Sequence, residues 1–107
     1  MLNSATLAAI LLIAAGIIHN YSFMCRKLKP EELKVIYPAT PVGKLIFDLS
    51  WLLMAAAGLF LTFQLSKVLA AIAAAIYFLL LPFALQAPLA RLLGFASLRE
   101  YVEHIDR

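Results

Sequence analysis

The sequence predicts an all-α membrane protein: three transmembrane helices, a short cytoplasmic interfacial helix and an amphipathic C-terminal helix, together one integral membrane domain over 1–107. Three observations carry that expectation. Apolar stretches run over 2–24, 45–65 and 68–88, each about the ~20 residues a helix needs to cross a hydrocarbon core. The chain is 64% hydrophobic and 14% charged, with a mean hydropathy of +0.94, well above the soluble norm of about half apolar and a quarter charged. A soluble domain this short hides only about 60–70% of its unfolded surface, so lipid is needed to cover the rest. The basic residues, finally, are distributed unevenly between the connections.

The first span, 2–24, has no basic segment before it and no small-x-small cleavage site after the run Leu7–Ile18. Phe23 and Met24 are too bulky for lipoprotein processing at Cys25. The stretch is therefore expected to be retained as a helix. The loop that follows carries Arg26, Lys27, Lys29, Lys34 and Lys44, the second turn only Lys67, and the tail Arg91, Arg99 and Arg107. Basic residues resist translocation, so this pattern predicts the N-terminus outside and the C-terminus in the cytoplasm. The expected location is a bacterial or archaeal cytoplasmic membrane.

Within the first loop, Lys29-Pro30-Glu31-Glu32 reads as a helix start, since proline suits the first helical position and acids favour the first turn. The segment Pro30–Ile36 is too short to be stable alone and is expected on the cytoplasmic membrane surface. Tyr37-Pro38 ends it. Thr40-Pro41 then resembles an N-cap and first position for the second span. The turn Gln64–Lys67 is so short that spans two and three must form an antiparallel hairpin. Pro82 and Pro88 predict a kink or break in the third span. In the tail, 89–107, Leu89, Leu92, Leu93, Leu98, Tyr101, Val102 and Ile105 recur at helical spacing among charges, with Gly94 marking a bend. Such a stripe lies on the membrane surface or packs on a partner protein, and the Leu/Arg alternation favours the surface.

Three polar side chains, His19, Asp48 and Gln86, fall inside the predicted spans. Counting from each span centre at ~1.5 Å per residue puts them at comparable depth, roughly 9–12 Å from the midplane on the cytoplasmic side. Asn20, Tyr21, Trp51 and Arg91 are assigned to the interface on that side, where amphipathic rings and basic groups anchor helices. An ionisable group in hydrocarbon is costly and so is a functional candidate, and a carboxylate beside an imidazole can hold a proton or orient the ring. The plainer alternative is a set of interfacial side chains that snorkel, Asp48 pairing with Lys44 one turn before it. Cys25 is expected to be an inert thiol at the membrane edge, and His104 solvated. Ala70-Ala71 and Ala74-Ala75 face, in this reading, the run Ala55–Gly58 of the second span, because small residues let helices approach closely in lipid.

No catalytic, metal-binding or nucleotide-binding motif can be read, and no cofactor is predicted. One cysteine excludes an internal disulfide. The net charge of +3 lies beside the apolar spans, so it points to lipid headgroups and away from nucleic acid. With three spans enclosing little interior, a homo-oligomer or a larger membrane complex is expected. The leading functional expectation is a structural or accessory subunit of a membrane assembly. The alternative is an oligomeric proton, ion or small-solute pathway using Asp48 and His19.

Overall fold

The computed structural model describes residues 3–29, 37–38 and 40–106, and among them all regular structure is helical, with no strand. Three helical segments, Ser4–Arg26, Pro41–Leu65 and Lys67–Leu92, are long and apolar enough to cross a membrane. The segment Pro30–Ile36, expected as an interfacial helix, lies outside the described residues, as does Arg107.

The first helix, α1 (Ser4–Arg26), starts where the Asn3 side chain accepts the Thr6 N–H at 2.8 Å. This N-cap satisfies one of the donors that the first turn leaves open. The second, α2 (Pro41–Leu65), starts at the expected signal: the Thr40 hydroxyl accepts the Gly43 N–H at 3.0 Å and Pro41 takes the first position. It thus begins four residues before the apolar run, and Lys44 is part of the helix. Ser66 alone joins α2 to α3 (Lys67–Ala75), ending one helix and capping the next through the Leu69 N–H. The contacts give the directions. Leu12 of α1 meets Gly58 and His19 meets Trp51, so α1 and α2 are antiparallel. Gly16 meets Leu81 and Asn20 meets Gln86, so the third segment runs parallel to α1, and α2 and α3 form the expected hairpin.

The prolines do not break the third span. A π-helical turn, Ile76–Leu80, precedes α4 (Leu81–Leu92), and the Leu81 N–H reaches back to the Ile76 carbonyl. Proline lacks an N–H and its ring crowds the carbonyl four residues earlier. The widened turn lies immediately before Pro82, where that crowding must be relieved, and the helix continues. Pro88 sits inside α4 without breaking it.

The helix ends at a Schellman motif. The Phe95 N–H donates to the Ala90 carbonyl and the Gly94 N–H to that of Arg91, with Gly94 at φ 100°. That conformation suits glycine, and it turns the chain back toward the bundle. The amphipathic tail is consequently shorter than expected, α5 (Leu98–Ile105), capped by Ser97. Its apolar stripe is occupied from within. Tyr101 is buried against Met24, Cys25, Leu28, Leu89, Ala90 and Leu93, and its O–H donates to the Met24 carbonyl at 2.8 Å. Leu98, Ile105 and Phe95 pack on the same cluster, while Val102 stays exposed. The tail therefore covers the ends of its own α1 and α4.

The small residues also pair otherwise than expected. Ala55 and Gly58 of α2 are buried against α1, beside Ala8, Leu12 and Ala15. A Cβ on Gly58 would come within 2.8 Å of the Leu12 side chain and 3.2 Å of the Ala8 carbonyl oxygen, so glycine is what permits this crossing. On α3, Ala71 and Ala75 remain exposed. The tight partner of α2 is α1, because α1 offers a small residue and a leucine in register with Gly58.

Candidate functional site

On α1, His19, Ser22 and Arg26 are spaced three and four residues apart and share one face. On α2, Asp48 and Trp51 do the same. Where these faces meet, the Asp48 carboxylate accepts three hydrogen bonds. Ser22 Oγ donates to Oδ1 at 2.9 Å, Trp51 Nε1 donates to Oδ1 at 3.3 Å, and Arg26 Nη2 donates to Oδ2 as a salt bridge. Tyr37 closes the network. Its hydroxyl lies 2.8 Å from Ser22 Oγ and accepts from Arg26 Nε at 3.1 Å. Since Ser22 spends its proton on Asp48, Tyr37 must donate to Ser22. Each hydroxyl in the ring then gives one proton and accepts another, as a satisfied polar network requires.

His19 is one turn deeper. Its ring stacks on Trp51 with centroids 3.7 Å apart and planes 5° from parallel, and Nδ1 shares a hydrogen bond with the Tyr77 hydroxyl at 3.2 Å. Tyr77 comes from the π-helical turn and is buried. Trp51 links His19 to Asp48, stacked on one and bonded to the other. A cleft of about 160 Å³ lies against His19, Ser22, Phe23, Arg26, Asp48 and Trp51.

Gln86 joins a separate contact. Its Nε2 donates to Asn20 Oδ1 at 3.2 Å, while Asn20 Nδ2 donates to the Gly16 carbonyl at 2.8 Å. The expected polar layer thus divides in two, His19 and Asp48 linking α1 to α2, and Asn20 with Gln86 clasping α1 to α4. The division follows from the helix itself: adjacent residues such as His19 and Asn20 point about 100° apart. Tyr21 is half-buried in an aromatic group with Tyr37 and Phe47, the ring centroids 5.5–6.1 Å apart. Arg91 is exposed in the last turn of α4. Cys25 is buried at 1% exposure, and His104 lies half-buried, 5.3 Å from the Phe95 ring.

Sequence reading missed Ser22, Arg26 and Tyr77. Arg26 is the last residue of α1 and not a loop charge, and its spacing from His19 and Ser22 continues the helical stripe. Asp48 pairs with Arg26 and not with Lys44 of its own helix. Tyr77 had no local signal, because it is positioned by the π-helical turn. Chemically, the carboxylate is occupied by donors and is no free base. His19 has one ring nitrogen engaged by Tyr77 and the other without a partner among the described residues. Among those residues, no three His, Cys, Asp or Glu side chains gather as a metal site would require. Comparison with protein families, with characterised proteins and with solved structures finds no match to this chain.

Proposed function

We propose that this chain is a small integral membrane protein, with its N-terminus outside and its C-terminus cytoplasmic, that serves as a structural or accessory subunit of a membrane assembly. What carries the reading is the contrast between its surfaces. The most apolar window of Lys67–Leu92 is only 6% buried, against 39% for Ser4–Arg26, whereas the Asp48 carboxylate is occupied by Ser22, Trp51 and Arg26. A helix that buries so little of itself within its own chain offers its apolar side to lipid or to another chain. Ala71 and Ala75 on that side let a second helix approach closely. The orientation rests on five basic residues in the first loop against one in the second turn.

Purification in mild detergent, followed by mass measurement of the intact particle, tests the assignment. A stable complex with a different chain is the expected result, and a monomer without a partner would overturn it. A reporter active only in the cytoplasm should give signal when fused after Arg107 and none when fused at Lys67.

The second reading is an oligomeric proton, ion or small-solute pathway. The observation in its favour is the cleft beside His19 and Asp48, with Tyr77 hydrogen-bonded to His19 on the inner side. It requires a homo-oligomer and a flux across proteoliposomes that His19→Ala abolishes. Equal leakage of loaded and empty vesicles would remove this reading.

A further inference from the structure

A second cleft, of about 520 Å³, opens at the edge of the α1–α2 contact and is lined by Arg26, Pro41, Lys44, Leu45 and Asp48. Its charges are unequal in availability. The Asp48 carboxylate already accepts from Ser22, Trp51 and Arg26, which leaves it little attraction for a cation. Arg26 engages Tyr37 through Nε and Asp48 through Nη2, while the rest of its five-donor fork has no partner among the described residues and the side chain is 46% exposed. Lys44 is one turn before Asp48 and has no ion-pair partner among the described residues. The start of α2, at Pro41, adds the positive end of the helix dipole. Among the described residues, the cleft therefore has an excess of positive charge and donors.

One side of it is apolar. Leu45 is 58% exposed, and Leu49 and Leu52 continue from it along the same face of α2. An anionic head bound at Arg26 and Lys44 thus has an apolar strip leading away from it along the helix. We propose that this cleft binds a phosphate-bearing anion through Arg26 and Lys44, the group belonging either to a lipid headgroup, with its chain along Leu45, Leu49 and Leu52, or to a soluble phosphate. The lipid source rests on the membrane reading above.

The single tryptophan, Trp51, is bonded to Asp48 at the wall of this site and reports on it directly. The full chain is placed in phosphatidylcholine nanodiscs containing an equal mole fraction of brominated phosphatidylglycerol or brominated phosphatidylcholine. For a lipid source, the anionic lipid should quench Trp51 roughly fivefold more effectively, as expected for a basic residue beside an anionic headgroup. Lys44→Gln should abolish that preference, while Lys67→Gln, at the other end of α2, should retain it. In the second arm, inorganic phosphate is titrated into the chain in nanodiscs of phosphatidylcholine alone. A saturable change in Trp51 emission that Lys44→Gln removes identifies a soluble source. The proposal fails if neither arm responds, or if Lys44→Gln leaves every response intact. Absence of quenching by both brominated lipids would instead sink the membrane reading, and the phosphate arm alone would then decide the site.

Discussion

At the end of the bundle where Arg26 meets Asp48, α1, α2, α4 and α5 converge, and directional contacts join them: the Asp48 network, the Asn20–Gln86 bond and the bond from Tyr101 to the Met24 carbonyl. Toward Ser66, α1 meets α2 through Ala8, Leu12 and Gly58, and among the described residues no side-chain hydrogen bond crosses between helices there. Thr62, buried in that half, donates only to the Gly58 carbonyl of its own helix. The two halves thus solve different problems. Small residues set how closely α1 and α2 approach, an effect that works in any apolar surrounding. Hydrogen bonds set how the helices are rotated about their axes, because a donor misaligned by one residue on a helix points elsewhere.

The comparison is broken most severely at Gly58. Gly58→Leu places a side chain where even a Cβ is 2.8 Å from Leu12, and is expected to cost about 3 kcal/mol, at the upper end for overpacking, or to separate α1 from α2 outright. Denaturant titration in micelles, followed through Trp51 emission, measures it. An unchanged midpoint would mean that packing does not hold this half.

Removing the carboxylate tests the other half. Asp48→Ala leaves the Arg26 charge, the Ser22 hydroxyl and the Trp51 N–H without their acceptor. Because the pair is partly exposed, the loss should be about 1–3 kcal/mol, below that of a fully buried pair. The Arg26→Ala, Asp48→Ala double variant should lose less than the sum of the singles, since each single strands the other's partner. Strict additivity would show that the two do not act as a unit.

Tyr101→Phe deletes the hydrogen bond that fastens α5, at a cost of about 1 kcal/mol, visible as faster amide exchange confined to 98–105. Burial pushes the Tyr101 phenol up to about 12 from its ordinary value of 10. The unfolded tail therefore releases its proton first. Docking is at full strength below pH 10 and weakens as pH rises through 10 toward 12. The difference in tyrosinate absorbance between wild type and Tyr101→Phe should titrate near 12, and a step near 10 would show the tail undocked.

The smallest effect is expected at Gln86→Ala, about 0.5–1 kcal/mol, because Asn20 keeps its bond to the Gly16 carbonyl and loses only one donor. Measured by the same denaturant titration, a loss above that of Asp48→Ala would place the directional hold on α4 and not on α2.

Local chemistry was legible from residues alone: the three apolar helices, the Thr40-Pro41 start, the Gly94 bend and the charge asymmetry each depend on neighbours within a few positions. The nearness of His19 and Asp48 to one end of their helices was also legible, because rise per residue is constant along a helix. What the tertiary structure decided were the partners. Asp48 is bound to Arg26 and Ser22 and linked to His19 through Trp51, Gln86 turns to Asn20, and Gly58 meets α1 and not the alanines of α3. Most of the stripe of α5 is filled by the ends of α1 and α4. Depth along an axis follows from sequence position. Rotation about that axis is set only when helices pack, and a π-helical turn, such as the one carrying Tyr77, changes it for every residue beyond.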